Sequence, residues 1–247
     1  DDSIQLVKSH YPADYISEAV DQTRGWFYTL LAVAAIMGEG APYQNVICLG
    51  HLLDEHGKKM SKSKGNVVDP WVIIDKFGAD ALRFYLFSLN PAGEPKLFSE
   101  KDLQTVSRRV LMIWWNVYLF FSQRTEDGKR SAENGGKSAN VLDRWILARV
   151  NISIDIVTNS LDQYDVLTAS RTLAELIDDL STWYLRRSRG RFAEEHDAVD
   201  RQDANSTLRY VLITSAKLMA PFCPFMAEAI HYNLTGESVH LADWPVA

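Results

Sequence analysis

The sequence Lys58-Lys59-Met60-Ser61-Lys62-Ser63-Lys64-Gly65-Asn66, here called the lysine loop, places four lysines, two serines and a glycine within nine residues. A lysine ammonium is a compact point charge, and a backbone rich in glycine and serine lets N–H groups approach phosphate oxygens closely. This composition suits a nucleoside triphosphate or a nucleic-acid backbone. A solvated surface loop has the same composition, so the neighbouring segments must decide between the two.

The segments that precede the lysine loop predict a β-α-β unit. We expect a short strand at residues 14–17, a buried helix over 22–37 that Gly38 ends, and a second strand over 45–53. A helical crossover joins parallel strands, and ligands of open parallel sheets bind beyond the carboxyl ends of the strands. The lysine loop and the segment 21–26 each follow such an end, so we expect them to face one site.

The remainder of the chain has a helical period. Asp69 is a good N-cap with Pro70 at the first helical position, which predicts helices over 70–77 and 79–89. The segment 90–95 (Asn-Pro-Ala-Gly-Glu-Pro) is the clearest break, and we divide the chain into an α/β domain at 1–95 and an α-helical bundle at 96–247. The bundle helices are expected near 99–123, 142–161, 166–191, 203–218 and 225–234, with a mobile connection at 125–140.

Two clusters in the bundle carry different chemistry. Aromatic residues at helical spacing are expected to form its core: Trp114, Trp115, Tyr118, Trp145, Trp183 and Tyr184. Four arginines lie near a helix end: Arg186, Arg187, Arg189 and Arg191. These arginines either pair with Glu175, Asp178 or Asp179 or hold RNA phosphates, and the sequence leaves both alternatives open.

Composition limits the class of protein. The formal charge is −6 and 47% of the 247 residues are hydrophobic, so any contact with RNA must depend on local basic patches. Cys48 and Cys223 lie far apart without metal-ligand spacing, so neither a disulfide nor a zinc site is expected, and a reducing cytoplasm fits. No apolar run reaches the roughly 18 residues that a bilayer span needs, which predicts no membrane association.

Several motifs resemble one family. Lys59-Met60-Ser61-Lys62-Ser63 matches the second sequence motif of the class I aminoacyl-tRNA synthetases at every position. The segment 18–27, Glu-Ala-Val-Asp-Gln-Thr-Arg-Gly-Trp-Phe, resembles the segment that isoleucyl-tRNA synthetases carry ahead of that motif, with Ala19 where glycine is frequent. Further similarity at 78–83, 142–147 and 220–225 extends the resemblance over essentially the whole chain.

The resemblance implies a fold and a set of roles. The fold would be the C-terminal half of a Rossmann-type parallel-sheet nucleotide-binding domain with a stem-contact region, followed by an anticodon-binding α-helical bundle, mainly helical overall. Lys59 and Lys62 would stabilise charge on the departing pyrophosphate, while Met60, Ser61 and Ser63 would complete the ATP site. Residues that would bind the aminoacyl adenylate are Glu18, Asp21, Gln22 and Trp26. Sequence alone does not separate these roles for Asp21 and Trp26 from a helix N-cap and ordinary helix core.

The same resemblance implies the partners. They are ATP with Mg²⁺, isoleucine and isoleucine tRNA, in a cytoplasmic enzyme that is expected to be a monomer. The His-Ile-Gly-His-type first motif of the class is absent from these residues. We therefore expect a segment of a longer synthetase that forms no adenylate alone. The alternatives are a noncatalytic tRNA-binding module and a valyl- or leucyl-type synthetase.

Overall fold

The computed structural model describes residues 9–61, 65–124 and 138–247. These residues form two compact units, one comprising the described residues up to Val67 together with Asn90–Ser99, the other comprising Val68–Leu89 and the described residues from Glu100 onward. Lys62, Ser63 and Lys64 of the lysine loop lie outside the described residues, as does most of the predicted mobile connection, 125–137.

The first unit is a β-α-β arrangement, as predicted. Strand β1 (Ala13–Ala19) pairs in parallel with β2 (Tyr43–Leu49), with Ala13 opposite Tyr43 and Ala19 opposite Leu49. A 3₁₀ turn (Val20–Arg24) and helix α1 (Trp26–Met37) connect the two strands. Two short strands, β3 (Leu52–Leu53) and β4 (Lys96–Leu97), form a second parallel pair.

The predicted strand 45–53 is interrupted at Gly50. The Gly50 N–H donates to the Ala92 carbonyl oxygen at 2.9 Å, and a Cβ atom at Gly50 would overlap the carbonyl group of Glu94. The backbone of the segment 90–95 thus crosses directly over Gly50. This close approach ends β2 and sends the chain into β3, a contact that strand propensity alone does not reveal.

Helix α1 is less buried than its apolar sequence predicts. Only Phe27 and Ala34 are buried, whereas most of its large apolar side chains are exposed, namely Trp26, Tyr28, Leu31, Val33, Ile36 and Met37. A sheet of two strands covers only one narrow face of a helix that is apolar all round. Within this chain the helix is therefore only partly buried, whereas its predicted end at Gly38, with φ of 72°, is correct.

The second unit is helical, in agreement with the predicted bundle. Its helices are α2 (Pro70–Phe77), α3 (Ala79–Ser88), α4 (Glu100–Val106), α5 (Ile113–Ser122), α6 (Val141–Asp162), α7 (Val166–Asp178), α8 (Arg186–Ser188), α9 (Ala198–Met219) and α10 (Pro224–Thr235). π-Helical turns join α4 to α5 (Ser107–Met112) and α7 to α8 (Asp179–Leu185), and 3₁₀ turns follow α8 (Arg189–Phe192) and α10 (Val239–Leu241). None of the described helices is both long and apolar enough to cross a bilayer.

The core of the second unit contains most of the predicted aromatic residues. Trp114, Tyr118 and Tyr184 are buried, and the Trp114 Nε1–H donates to Ser215 Oγ at 3.0 Å. Trp115 and Trp145 are partly buried against the same core. Trp183 is the exception, because 44% of it is exposed and the Arg187 guanidinium lies 3.7 Å from its ring centre.

Side-chain hydrogen bonds fix the starts of two helices in this unit. Asn140 caps α6 by accepting from Leu142 N–H, and Ser138 Oγ donates to Asp143, so residues 138–140 of the predicted mobile connection are held in place. The Asp80 carboxylate caps α10 by accepting from Met226 N–H at 2.8 Å, and burial raises the pKa of this carboxyl group.

Candidate functional site

The carboxyl ends of β1 and β2 lie side by side. Ala19 and Leu49 are register partners at these ends. The chain leaves Ala19 into the 3₁₀ turn Val20–Arg24 and leaves Leu49 through Gly50 toward the lysine loop. The segment Val20–Arg24 therefore starts at the carboxyl edge of the β1–β2 sheet, which is the edge where ligands of such sheets bind, whereas the lysine loop follows β3 of the second parallel pair, a few residues after the neighbouring end of β2.

Gln22 shapes the segment after β1 by capping α1. Its Oε1 accepts from Trp26 N–H at 2.9 Å, and its Nε2 donates to Asp21 Oδ2 at 3.2 Å. Asp21 makes no cap contact with α1, so the interpretation of Asp21 as the N-cap is wrong. A Cβ atom at Gly25 would lie 2.6 Å from Gln22 Oε1, so a larger residue at this position would displace the Gln22 side chain from its cap of α1.

The candidate adenylate-binding side chains in this segment point to solvent-accessible space. Glu18 and Asp21 have no cationic partner within 4.0 Å among the described residues, so both carboxylates are available to an ammonium or a hydroxyl group. Trp26 is 42% exposed at the start of α1, with its ring centre 6.1 Å from that of Phe27. Trp26 is therefore not an ordinary core residue of this unit.

The base of the lysine loop is built around Asp54. Its Oδ1 accepts from His56 N–H at 3.0 Å and from Lys58 N–H at 2.8 Å, and its Oδ2 accepts from Asn66 Nδ2 at 2.8 Å. These hydrogen bonds, of which the one from Asn66 is the strongest influence, hold the pKa of the Asp54 carboxyl below its ordinary value. The turn that starts at Asp54 passes through Gly57, whose φ is 75°.

Lys59 lies at the exit from this turn. Its backbone forms an antiparallel bridge with Leu53, and its exposed side chain has no carboxylate within 4.0 Å among the described residues. Met60 and Ser61 are half-buried, and Ser61 N–H donates to Asn66 Oδ1 at 2.9 Å. An ammonium group that is free of acidic partners is available to a phosphate oxygen.

In the second unit, three arginines line one cleft. The cleft has a volume of about 480 Å³ and includes Arg124, Arg186 and Arg189, and none of the described residues in its lining is acidic. The Arg124 guanidinium lies 3.9 Å from the centre of the Phe120 ring, and that of Arg189 lies 5.7 Å from the same ring. Aromatic stacking fixes these cations without neutralising their charge.

The predicted arginine cluster divides in two. Among the described residues Arg186, Arg187 and Arg189 have no carboxylate partner, and the expected partner Asp179 pairs with Arg149 instead. Arg191 is buried and binds Asp143, with Nη1 and Nη2 each 2.7 Å from a carboxylate oxygen.

A second carboxylate completes the contacts of Arg191. Asp200 Oδ1 lies 2.6 Å from Arg191 Nη2, and both Asp200 oxygens accept from Nε. The carboxylates hold the pKa of Arg191 above its ordinary value, although burial opposes this shift. Because its donors are engaged inside the protein, we leave Arg191 out of the candidate RNA-binding set.

Sequence reasoning did not single out Asn66, Asp54 or Arg124 for a role. Asn66 and Asp54 flank the lysine motif within twelve residues of each other, but polar residues in a turn are common and gave no signal. Arg124 follows Phe120 by four residues, and this spacing on a helix predicts a side-chain contact. That pattern was the available signal for the arginine cleft.

Two protein families match separate parts of the chain. The family of class I tRNA synthetases for isoleucine, leucine, methionine and valine matches residues 3–97, and the anticodon-binding domain of tRNA ligases matches residues 143–247. Together with the parallel sheet edge and the lysine loop, these matches show that the chain belongs to the class I aminoacyl-tRNA synthetases.

Within that class, the chain is most informatively compared with the isoleucine enzymes. It is 46% identical over 240 residues to the isoleucine–tRNA ligase of Deinococcus radiodurans, and 46% identical over 243 residues to that of Bacillus thuringiensis. The alignments cover 96% and 98% of the chain but only 22% and 24% of the two relatives. The chain thus spans about a quarter of the length of the isoleucine–tRNA ligases that it resembles.

Solved structures support the fold. A leucyl-tRNA synthetase of Agrobacterium radiobacter, in a ternary complex with tRNA, matches 95% of the chain and 28% of its own, with a TM-score of 0.72 and 23% identity. A methionyl-tRNA synthetase of Mycobacterium tuberculosis, bound to methionyl-adenylate, matches 92% of the chain and 45% of its own, with a TM-score of 0.74 and 22% identity.

Proposed function

We propose that the chain is the part of an isoleucine–tRNA ligase that supplies the second half of the adenylate site and the tRNA-binding bundle. One structural observation supports this most directly. The segment after β1 starts beside the carboxyl end of β2, and from that end of β2 the chain continues through β3 to the lysine loop. The identity of 45–46% to enzymes named for isoleucine favours this amino acid over valine or leucine.

The proposed reaction has two steps. A carboxylate oxygen of isoleucine attacks the α-phosphorus of ATP, the bond to the β-phosphate oxygen breaks, and pyrophosphate leaves. A ribose hydroxyl at the tRNA 3′ end then attacks the acyl carbon and releases AMP. Both steps need positioned reactants and charge stabilisation, without a covalent enzyme intermediate.

The lysine loop stabilises the departing pyrophosphate in this proposal. The ammonium groups of Lys59 and Lys62 would stabilise the negative charge that develops on the β-phosphate as pyrophosphate departs. Mg²⁺ would enter the site bound to ATP. Met60 contacts the adenine, and Ser61 and Ser63 support the loop. The exposure of Lys59 and its lack of an acidic partner among the described residues support this role.

The segment after β1 binds the amino-acid side of the adenylate. The carboxylates of Glu18 and Asp21, which have no cationic partner among the described residues, bind the substrate ammonium or the ribose hydroxyls, and Trp26 supplies an apolar wall for isoleucine. Gln22 contributes indirectly, because its Oε1 already caps α1 and fixes the start of the helix that carries Trp26. Such a wall can discriminate isoleucine from valine only through the binding energy of one methylene group.

The remainder of the polypeptide covers the exposed face of α1. A two-stranded parallel sheet is not stable alone, and parallel sheets are normally covered on both faces. Exposed Leu31, Val33, Ile36 and Met37 therefore lie where further strands of the nucleotide-binding domain pack. We expect the isolated 247 residues to form no adenylate, and we place the working enzyme in the cytoplasm as a monomer.

The bundle binds tRNA through the arginine cleft. Residues 96–247 act as the anticodon-binding part, and Arg124, Arg186 and Arg189 hold backbone phosphates, while Arg187 on Trp183 offers a flat cationic surface beside it. A noncatalytic tRNA-binding module is the second candidate function. It is favoured only by the fact that all the described lining residues of this cleft belong to the second unit.

The test is ATP–pyrophosphate exchange by the synthetase polypeptide that carries this chain. Exchange that depends on isoleucine, and that valine and leucine support only weakly, is the expected result. No exchange with any of the three amino acids, combined with salt-sensitive tRNA binding, would support the noncatalytic module. Exchange that is fastest with valine or leucine would overturn the assignment of the substrate.

A further inference from the structure

The lysine loop is closed at its base by a contact between two side chains that have no assigned role in the reaction. Asn66 Nδ2 donates to Asp54 Oδ2 at 2.8 Å, and Asn66 Oδ1 accepts from Ser61 N–H at 2.9 Å. The same Nδ2 lies 3.4 Å from the carbonyl oxygen of Lys59. Asn66 thus binds both the turn before the loop and the backbone on either side of Met60.

Asp54 connects this contact to the sheet. It follows β3, which pairs with β4, and its backbone N–H donates to the Lys58 carbonyl oxygen at 2.9 Å. Its Oδ1 accepts two further backbone N–H groups, from His56 and Lys58, so the carboxylate has a fixed orientation. A displacement of Asn66 relative to Asp54 therefore changes the path of the backbone between Lys59 and Ser61.

We propose that Asp54 and Asn66 are positioning residues, whose contact, the Asp54–Asn66 clasp, sets the backbone of residues 59–61 for the departure of pyrophosphate. This inference rests on the proposed function, because it names what holds the phosphate-binding lysines in place. Neither side chain is required to touch ATP. The clasp acts on the transition state through the loop, and its loss lowers kcat more than it raises KM.

The chemistry of the pair explains the residue types. The Asp54 carboxylate requires a hydrogen-bond donor at position 66, and Ser61 N–H requires an acceptor at the same position. The carboxamide of asparagine supplies both from one short side chain. The chain enters position 66 through Gly65, whose φ of 66° lies in the left-handed region that favours glycine. A carboxylate at position 66 would keep the acceptor for Ser61 but would face the carboxylate of Asp54.

An exchange of the two side chains tests the clasp. Asn66→Asp places two carboxylates face to face, and Asp54→Asn either places two donors face to face or turns its amide toward the N–H groups of His56 and Lys58. In the double variant, the carboxamide at 54 donates to the carboxylate at 66, which still accepts from Ser61. Glu55→Gln is the matched control, because it removes a charge from the same turn without any contact to Asn66.

The primary measurement is isoleucine-dependent exchange in the synthetase polypeptide. Each single variant is expected to lower kcat about tenfold, with the KM for isoleucine within about twofold, and the double variant to return to within about threefold of wild type. Unchanged single variants, or a double variant no better than the worse single one, would overturn the proposal.

A second measurement does not depend on activity. Tryptic cleavage within residues 58–66 of the synthetase polypeptide is expected to be about fivefold faster in either single variant and to return toward the wild-type rate in the double variant. A wild-type enzyme without exchange would refute the proposed function, and cleavage alone would then decide the clasp. Equal cleavage rates in all four proteins would refute the clasp.

Discussion

Arg191 and Asp143 form a buried two-pronged ion pair, with Nη1 to Oδ1 and Nη2 to Oδ2 both 2.7 Å. The pair joins the start of α6 to the 3₁₀ turn after α8, and Tyr184 Oη donates to the same Asp143 carboxylate at 2.8 Å. Burial and the adjacent Asp143 charge raise the pKa of Tyr184 far above its ordinary value, so the phenol stays protonated and donates at every working pH.

The first prediction concerns the stability that depends on this pair. Arg191→Met leaves the Asp143 carboxylate buried with fewer donors, so the free energy of unfolding should fall by about 3–5 kcal/mol in urea denaturation. Arg144→Met, an exposed arginine on the same helix as Asp143, should change it by less than about 0.5 kcal/mol. A loss below about 1 kcal/mol for Arg191→Met would show that the pair does not hold these helices together.

The second prediction concerns acid sensitivity. Hydrogen bonds from Arg191, and to a smaller extent from His196, hold the pKa of Asp200 well below its ordinary value. Asp200 therefore adds stability at pH values above about 4, where the unfolded chain is ionised, and this stability is lost as the pH falls toward the folded pKa. Asp200→Asn should flatten the fall in unfolding free energy between about pH 5 and pH 2. If the plots of unfolding free energy against pH for the variant and wild type run parallel, Asp200 is not coupled to Arg191 in this way.

The third prediction concerns Gly50. A Cβ atom there meets backbone atoms of Glu94 and lies 2.8 Å from Pro95 N, and backbone cannot move aside as a side chain can. Gly50→Ala should destabilise the first unit by about 2–3 kcal/mol, measured by hydrogen exchange at the amides of β2. Gly190→Ala is the control, because nothing lies within 4 Å of a Cβ atom at that position. Equal exchange in both variants would contradict the close approach.

The fourth prediction concerns the amino-acid pocket. Trp26→Ala should raise the KM for isoleucine about tenfold or more and narrow the preference over valine, because the apolar wall is lost. Tyr28→Ala, two residues further along α1 and more exposed, should leave both quantities within about twofold. If the two variants behave alike, Trp26 has no place in the pocket.

The fifth prediction concerns the arginine cleft. Arg186→Ala and Arg189→Ala should each weaken tRNA binding and reduce the slope of log affinity against log salt by about one unit, because each removes one phosphate contact. Arg144→Ala, an exposed arginine outside the cleft, should leave that slope unchanged. Slopes equal to wild type in the cleft variants would place the tRNA elsewhere.

Much of the fold follows from local patterns. The parallel strands and the helix stop at Gly38 are confirmed because residue period and turn chemistry determine them locally. The contact between Gly50 and Glu94 depends on residues more than forty positions apart, so no local pattern predicts the break between β2 and β3. The two compact units also place α2 and α3 with the helical bundle, whereas the predicted boundary at 95 separates them.

The candidate site follows the same division. The positions of Asp21 and Trp26 beyond β1 follow from the predicted topology, but the use of Gln22 as the cap of α1 depends on side-chain geometry. The arginine cluster gives a second example. Its four members look equivalent in the sequence, but tertiary packing buries Arg191 against Asp143. Roles within a charged cluster are set by contacts between distant helices.

The most direct test of the central claim is the effect of Lys59→Ala on isoleucine-dependent ATP–pyrophosphate exchange by the synthetase polypeptide, with Lys101→Ala on the exposed surface of α4 as control. If Lys59 stabilises the departing pyrophosphate, kcat should fall about a hundredfold while the KM for isoleucine stays within about twofold, and the control should match wild type. Equal kcat values in Lys59→Ala and wild type would contradict the account.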